Sequence, residues 1–198
     1  MNRKYKILFF MSSWMVLACA CEPKQQSLSY QEQIENQRKE TDDFMNESDE
    51  SPFVGADSLI SLNYFLVSEN FKAIAFIERI DNGSEMTLGT SSGVPRVFVK
   101  HAILKFQLEQ QPQQLLVLKG VEDGTLFLAF ADQTNDQTTY GGGRYINLNF
   151  SDQAEKITLD FNKAYNPYCE YNSTYSCPLP PIENYLKIAI EAGEKLYQ

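Results

Sequence analysis

The sequence predicts an all-β domain, an antiparallel barrel or sandwich of about nine strands, preceded by a short N-terminal helix. Three observations predict it. From Ser51 onward, short runs rich in β-branched and aromatic residues alternate in hydropathy. Turn chemistry (DNG, SSG, EDG, QTND and GGG) separates those runs. The longest helical pattern lies before them, from about Ser29 to Asn46, where Tyr30, Ile34, Thr41 and Met45 fall near one helix face beside Phe44.

The expected strands are, in order, LISLNYFLV (59–67), FKAIAFIERI (71–80), EMTLGT (85–90), RVFVKHAILKFQLE (96–109) and QQLLVLK (113–119). TLFLAF (125–130), RYINLNF (144–150), EKITLDF (155–161) and YLKIAIEA (185–192) follow. Alternation marks an inner face: Phe98, Ala102, Leu104, Phe106 and Leu108 share one parity, and Leu126, Leu128 and Phe130 do likewise. So do Ile146, Leu148 and Phe150; Ile157, Leu159 and Phe161; and Leu186, Ile188 and Ile190. Each such side chain stabilises the fold by roughly 1.5–3 kcal/mol when buried, so these positions set the register.

Arg144 shares the parity of Ile146, Leu148 and Phe150, which aims its guanidinium inward. An inward arginine requires an acidic partner, because an unpaired buried charge is very costly. Asp160 and Glu183 are the expected partners.

The N-terminus has the layout of an export signal. Arg3, Lys4 and Lys6 precede the apolar run ILFFMSSWMVLA, which is too short to span a bilayer and suits a secretory leader. The run ends at Val16-Leu17-Ala18-Cys19, similar to the lipobox of bacterial lipoproteins, with Cys21 as the rival acceptor. The expected organisation is therefore a signal peptide over 1–18, an acidic linker with a helix over 19–50, and one β domain over 51–198. Acyl chains on Cys19 would hold the protein to a membrane, each buried CH₂ contributing about 0.8 kcal/mol. Ala20 rather than Asp after Cys19 favours the outer membrane, facing the periplasm or the cell surface.

The formal charge of −9 becomes −12 once residues 1–18 and their three positive charges are removed. Such a chain does not assemble the basic patch that nucleic acid demands. The implied partners are the membrane, through the lipid anchor, and an envelope protein or a glycan.

Outside the cytoplasm disulfides persist. With two of the four cysteines at the leader boundary, Cys169 and Cys177 are the expected pair, a metal pair or a reactive thiol being the alternatives. Zinc needs more ligands than one distant histidine supplies, so no metal and no cofactor is expected. His101, the single histidine, sits mid-strand and reads as packing or surface, which disfavours nucleophile–histidine triads. The glycines of Tyr140-Gly141-Gly142-Gly143-Arg144 suit a turn or bulge, or a backbone cradle for an anion. Tyr165, Tyr168, Tyr171 and Tyr175 give the Pro- and Asn-rich loop an amphipathic aromatic surface suited to carbohydrate, peptide or packing.

Four segments carry a resemblance: FADQT (130–134), TYGGGRYINL (139–148), LDFNKAYNPYCEYN (159–172) and SCPLPPIENYLKIAIEAGEK (176–195). In these the chain resembles the bacterial and archaeal family catalogued as domain of unknown function 1684. The match is densest over 126–197 and departs at His101-Ala102, where the family pattern has an aromatic residue followed by glycine. The resemblance implies a shared site region at Tyr140, Gly143, Arg144, Asp160, Asn162, Tyr165, Asn166, Glu183 and Asn184, and supplies no reaction.

Three functions fit. The first is a lipid-anchored binding or envelope-assembly module. The second is a hydrolase-type enzyme using Asp160 or Glu183 with Arg144 as electrostatic stabiliser. The third is a purely structural lipoprotein domain. An open aromatic cleft favours the first, an open cleft of converging carboxylates the second, and a sealed polar hub the third.

Overall fold

The structure is a computed structural model that describes residues 28–197. The leader, Cys19, Cys21 and the first part of the linker lie outside the described residues. Among those described, no helix is long and apolar enough to cross a membrane.

Helix α1 spans Tyr30–Glu47. Ser29 starts it with a capping box: its hydroxyl accepts the Glu32 N–H, and the Glu32 carboxylate accepts the Ser29 N–H at 2.7 Å. Ile34 and Met45 are buried, so the stripe Ile34–Arg38–Thr41–Met45 faces the domain.

Eight strands follow: β1 Lys72–Arg79, β2 Glu85–Leu88, β3 Arg96–Leu108, β4 Gln111–Gly120, β5 Leu126–Phe127, β6 Ala129–Phe130, β7 Arg144–Tyr145 and β8 Lys156–Asp160. An antiparallel sheet runs β5-β4-β3-β1-β8, with β2 paired to the start of β3, and β6–β7 forms a separate ribbon. The sheet does not close into a barrel. The β3–β4 hairpin turns on Glu109 and Gln110, both at positive φ (50° and 61°), as a two-residue hairpin of matching twist requires.

One inner-face assignment is corrected. The β3–β4 register shifts between Lys100 and Ala102, placing a bulge at His101. The extra residue reverses the parity, so Phe98 packs with Leu88, Leu116 and Leu118, away from Ala102, Leu104 and Phe106. Consecutive residues Leu115–Leu118 of β4 are accordingly all buried, alternating between two clusters. The main cluster joins Leu104, Phe106, Leu115 and Val117 of the sheet to Phe130, Phe161, Leu186 and Ile190.

Two expected strands are not regular strands. Residues 59–67 make one bridge, Tyr64 to Glu194, and residues 185–192 run beside 131–133 with a single parallel bridge. The reason lies in where their backbone groups go. Leu186 N–H donates to the Ala131 carbonyl at 2.8 Å, while the Ile190 and Ala192 carbonyls accept from Arg144 instead of a neighbouring strand. TLFLAF breaks at Leu128 into β5 and β6, and RYINLNF is a regular strand only at its first two residues, with Ile146 N–H donating to the Leu128 carbonyl beyond them.

Candidate functional site

Arg144 is only 1% exposed, and its guanidinium is held on two sides. Nη2 donates to Asp132 Oδ2 and to the Ile190 carbonyl, each at 2.9 Å. Nη1 donates to the Glu194 carbonyl at 3.1 Å and to the Ala192 carbonyl. The ring of Phe130 lies 5.2 Å below it. Asp132 is fully engaged in return: Oδ1 accepts the Thr134 N–H (2.9 Å), the Thr134 hydroxyl (2.6 Å) and the Ile190 N–H (3.1 Å). This arrangement ties the FADQT segment, the glycine turn and the C-terminal chain together, and it leaves no room for a substrate. It is a sealed hub.

The expected partners of Arg144 are therefore corrected. Asp160 caps the turn Phe161–Lys163 through the Asn162 N–H (3.1 Å) and accepts the Tyr30 hydroxyl (2.9 Å). Glu183 is exposed on the turn Ile182–Asn184 and makes no ion pair among the described residues. The three residues of the hydrolase reading are not brought together.

The asparagines serve irregular backbone, as their amides allow. Asn184 accepts the Leu116 N–H (2.6 Å) and donates to the Leu116 and Ala129 carbonyls (2.9 and 2.8 Å). Asn162 clamps Ser68 in the same two-way manner, at 2.9 and 2.8 Å. Asn166 donates to the Lys195 carbonyl (2.8 Å), and its Oδ1 is buried without a donor.

Gly143 closes the glycine turn at φ +82°, donating to the Tyr140 carbonyl at 3.1 Å. A Cβ there would lie 2.4 Å from Pro180 Cγ and 2.7 Å from the Phe130 carbonyl oxygen. The segment is a tight turn against the proline loop rather than an anion cradle.

The disulfide is also corrected: Cys169 and Cys177 are free thiols. Cys177 Sγ accepts the Cys169 N–H at 3.2 Å, and the Tyr140 hydroxyl lies 3.7 Å from Cys169 Sγ. Burial and the neighbouring Cys169 thiol push the Cys177 thiol up to about 12. Hydrogen bonds and prolines, without a covalent link, hold this loop. His101 is half-buried at the bulge, 3.4 Å from Arg79 and stacked on Phe150; burial, then Arg79, lower its pKa.

An open cleft of about 660 Å³ lies elsewhere, between α1 and the tyrosine-rich loop. Ile34, Arg38, Phe44 and Met45 of α1 form one wall, while Tyr145, Tyr165, Tyr168 and Tyr175 contribute rings to it. Asn147, Asn162 and Asn166 add amides. Tyr165 donates to Asn147 Oδ1 at 2.7 Å, and burial raises its pKa to about 12. The α1 wall is held by the Tyr30–Asp160 hydrogen bonds, by Arg38 Nη1 donating to the Phe65 carbonyl (2.9 Å), and by Asn46 paired with the Ile60 backbone.

Glu194 also lines the cleft and is only 2% exposed. Its Oε2 accepts the Asn166 N–H (2.8 Å) and the Tyr171 hydroxyl, and its Oε1 has only a 3.5 Å contact from the Tyr64 hydroxyl. Burial raises its carboxyl to about 7, against the pull of those donors. Arg38 lies over the Tyr64 ring at 4.5 Å, and burial lowers its pKa from the usual arginine value.

Asp132, Glu194 and Arg38 escaped the sequence reading, yet each carried a signal. Asp132 shares the parity of Leu128 and Phe130, and Glu194 that of Ile188 and Ile190, the same alternation that marked Arg144. Arg38 lies between Ile34 and Thr41 on the inward stripe of α1.

The fold and its sealed hub define a mostly antiparallel β protein with an aromatic cleft beside an added helix. Residues 58–195 match the family described as protein of unknown function (DUF1684), and the chain belongs to that family. It is similar to the uncharacterised protein from gene locus rrnAC0354 of Haloarcula marismortui, solved in solution by NMR. The two share 35% identity, the match covers 83% of this chain and 92% of that one, and the TM-score is 0.64. No curated protein matches.

Proposed function

We propose that the chain is a lipid-anchored cell-envelope protein that binds a ring-bearing, polyhydroxylated ligand, a glycan, in the cleft between α1 and the tyrosine-rich loop. One observation carries this reading: an open cleft of about 660 Å³ in which tyrosine rings alternate with side-chain amides. Rings offer flat apolar faces to sugar C–H groups, and amides and phenols satisfy hydroxyls. Asn166 Oδ1, beside the cleft, is a buried acceptor that the described residues leave without a donor. The anchor reading rests on the leader and Cys19, and Cys21 is its alternative. The enzyme reading through Asp160, Glu183 and Arg144 has no common site to support it.

The test is a printed array of oligosaccharides probed with the full chain, alongside Tyr165→Ala and Tyr168→Ala. The reading predicts retention on a subset of sugars and a loss of about tenfold or more in each variant, the scale of removing one stacking ring. Retention on no sugar would refute it.

A further inference from the structure

The fold treats the buried Arg144 and the half-buried Arg38 very differently. Arg144 has a carboxylate and three carbonyls on its two terminal nitrogens, and only its Nε lacks an acceptor. Arg38 has no carboxylate within salt-bridge reach among the described residues, one carbonyl acceptor, and buried Nε and Nη2 donors without any acceptor. A guanidinium with two unpaired donors on one edge has the geometry to grip a carboxylate through both oxygens once that buried edge is uncovered.

The surroundings point the same way. Arg38 lines the cleft, with its guanidinium carbon 4.5 Å from the centre of the Tyr64 ring. Exposed Lys163 and Arg96 add two cations to the same cleft, against exposed Glu40 and buried Glu194. Glu194 already has one oxygen engaged by Asn166 N–H and Tyr171. A cationic bias here runs against a chain whose overall charge is −9.

We infer that the ligand carries a carboxylate read by Arg38: the cleft takes an acidic sugar of the uronate type, with the ring against the tyrosines and its carboxylate on the Nε–Nη2 edge. Binding in this way requires the half-buried side chain to turn on the Tyr64 ring so that this edge reaches the cleft, where the ligand would supply the acceptors that Nε and Nη2 lack. Arg38 lies on α1, before the residues 58–195 that match the family, so this selectivity is set by a segment outside the family domain.

The inference rests on the glycan reading of the cleft, and the experiment separates their failures. The full chain is titrated with matched neutral and uronate-bearing oligosaccharides, galactotriose against trigalacturonate and cellobiose against cellobiouronate. The expected result is a preference of about tenfold or more for the acidic member of at least one pair, weakening as salt is raised. Arg38→Gln should reduce the preference to within about twofold, and Arg38→Lys should restore only part of it. Because Arg38 also helps hold α1, Lys163→Gln serves as a second variant on an exposed rim residue, expected to lower the preference about twofold to threefold. Equal binding of both members overturns the inference and leaves the glycan reading standing. Binding of neither member of either pair overturns the inference, and the glycan reading falls with it only when the array also retains no sugar. Retained preference in Arg38→Gln shows that another group reads the acid and also overturns the inference.

Discussion

Arg144 Nη2 and Asp132 Oδ2 meet at 2.9 Å in a pair whose side chains are 1% and 0% exposed. Twelve residues separate them in sequence, and the glycine turn brings them together. Asp132→Ala is expected to cost roughly 3–5 kcal/mol, because it strands a buried guanidinium. Urea unfolding at neutral pH checks this, with Glu183→Ala, an exposed position, expected within about 0.5 kcal/mol of the parent.

Gly143→Ala should destabilise by about 2 kcal/mol or more. The residue sits at φ +82°, and a methyl group would collide with Pro180 and the Phe130 carbonyl, two groups that cannot easily withdraw. The same denaturation measurement reads it.

The β3–β4 hairpin offers the opposite outcome. Glu109 and Gln110 hold φ of 50° and 61°, which ordinary side chains adopt at a cost. Replacing the pair by Asn-Gly should raise stability by about 1 kcal/mol without moving the cleft.

Glu194 predicts a pH dependence with a definite sign. Its carboxyl titrates near 7 in the folded chain, against an ordinary value of 4.5. Below about 4.5 both states are protonated and its contribution is fully present. As pH rises from there to about 7 the unfolded chain ionises first, so stability falls, by roughly 3 kcal/mol once the folded group has also lost its proton. Glu194→Gln should flatten that slope. Unfolding midpoints between pH 4 and 8 for both proteins provide the comparison.

The free thiols give a chemical prediction. Cys177 is buried, with its pKa pushed up to about 12, whereas Cys169 is partly exposed. At pH 8, iodoacetamide should modify Cys169 well before Cys177, since the thiolate is the reacting species. Peptide mass spectrometry over time distinguishes the two.

Much of the fold was legible because alternation and turn chemistry are local. The helix is legible from Tyr30, Ile34, Thr41 and Met45 on one face, and most strands from their β-branched runs. The bulge at His101 was not legible: an extra residue leaves the sequence alternation intact while exchanging the two faces around it. Residues 185–192 depart from a strand for a related reason. They alternate as a strand does, but their carbonyls are claimed by Arg144, a long-range partner that periodicity does not reveal. Parity gives the inward direction of Arg144 but not its partner: Asp132 and Glu194 obey the same rule, and alternation does not say which of several acids meets a given cation. The cleft depends on α1 docking beside Tyr165 and Tyr168, a tertiary relation with no counterpart in any single segment.

Arg144 belongs to the sealed hub, and the proposed ligand site is the cleft under α1. Amide chemical-shift mapping of the full chain, titrated with the sugar retained best on the array, separates the two regions. Shifts are expected to cluster at Arg38, Asn147, Tyr165, Asn166 and Tyr168, while Asp132 and the Thr134–Thr139 turn stay still. Shifts centred on Asp132, Arg144 and Gly143, with the α1 wall unmoved, would contradict that placement.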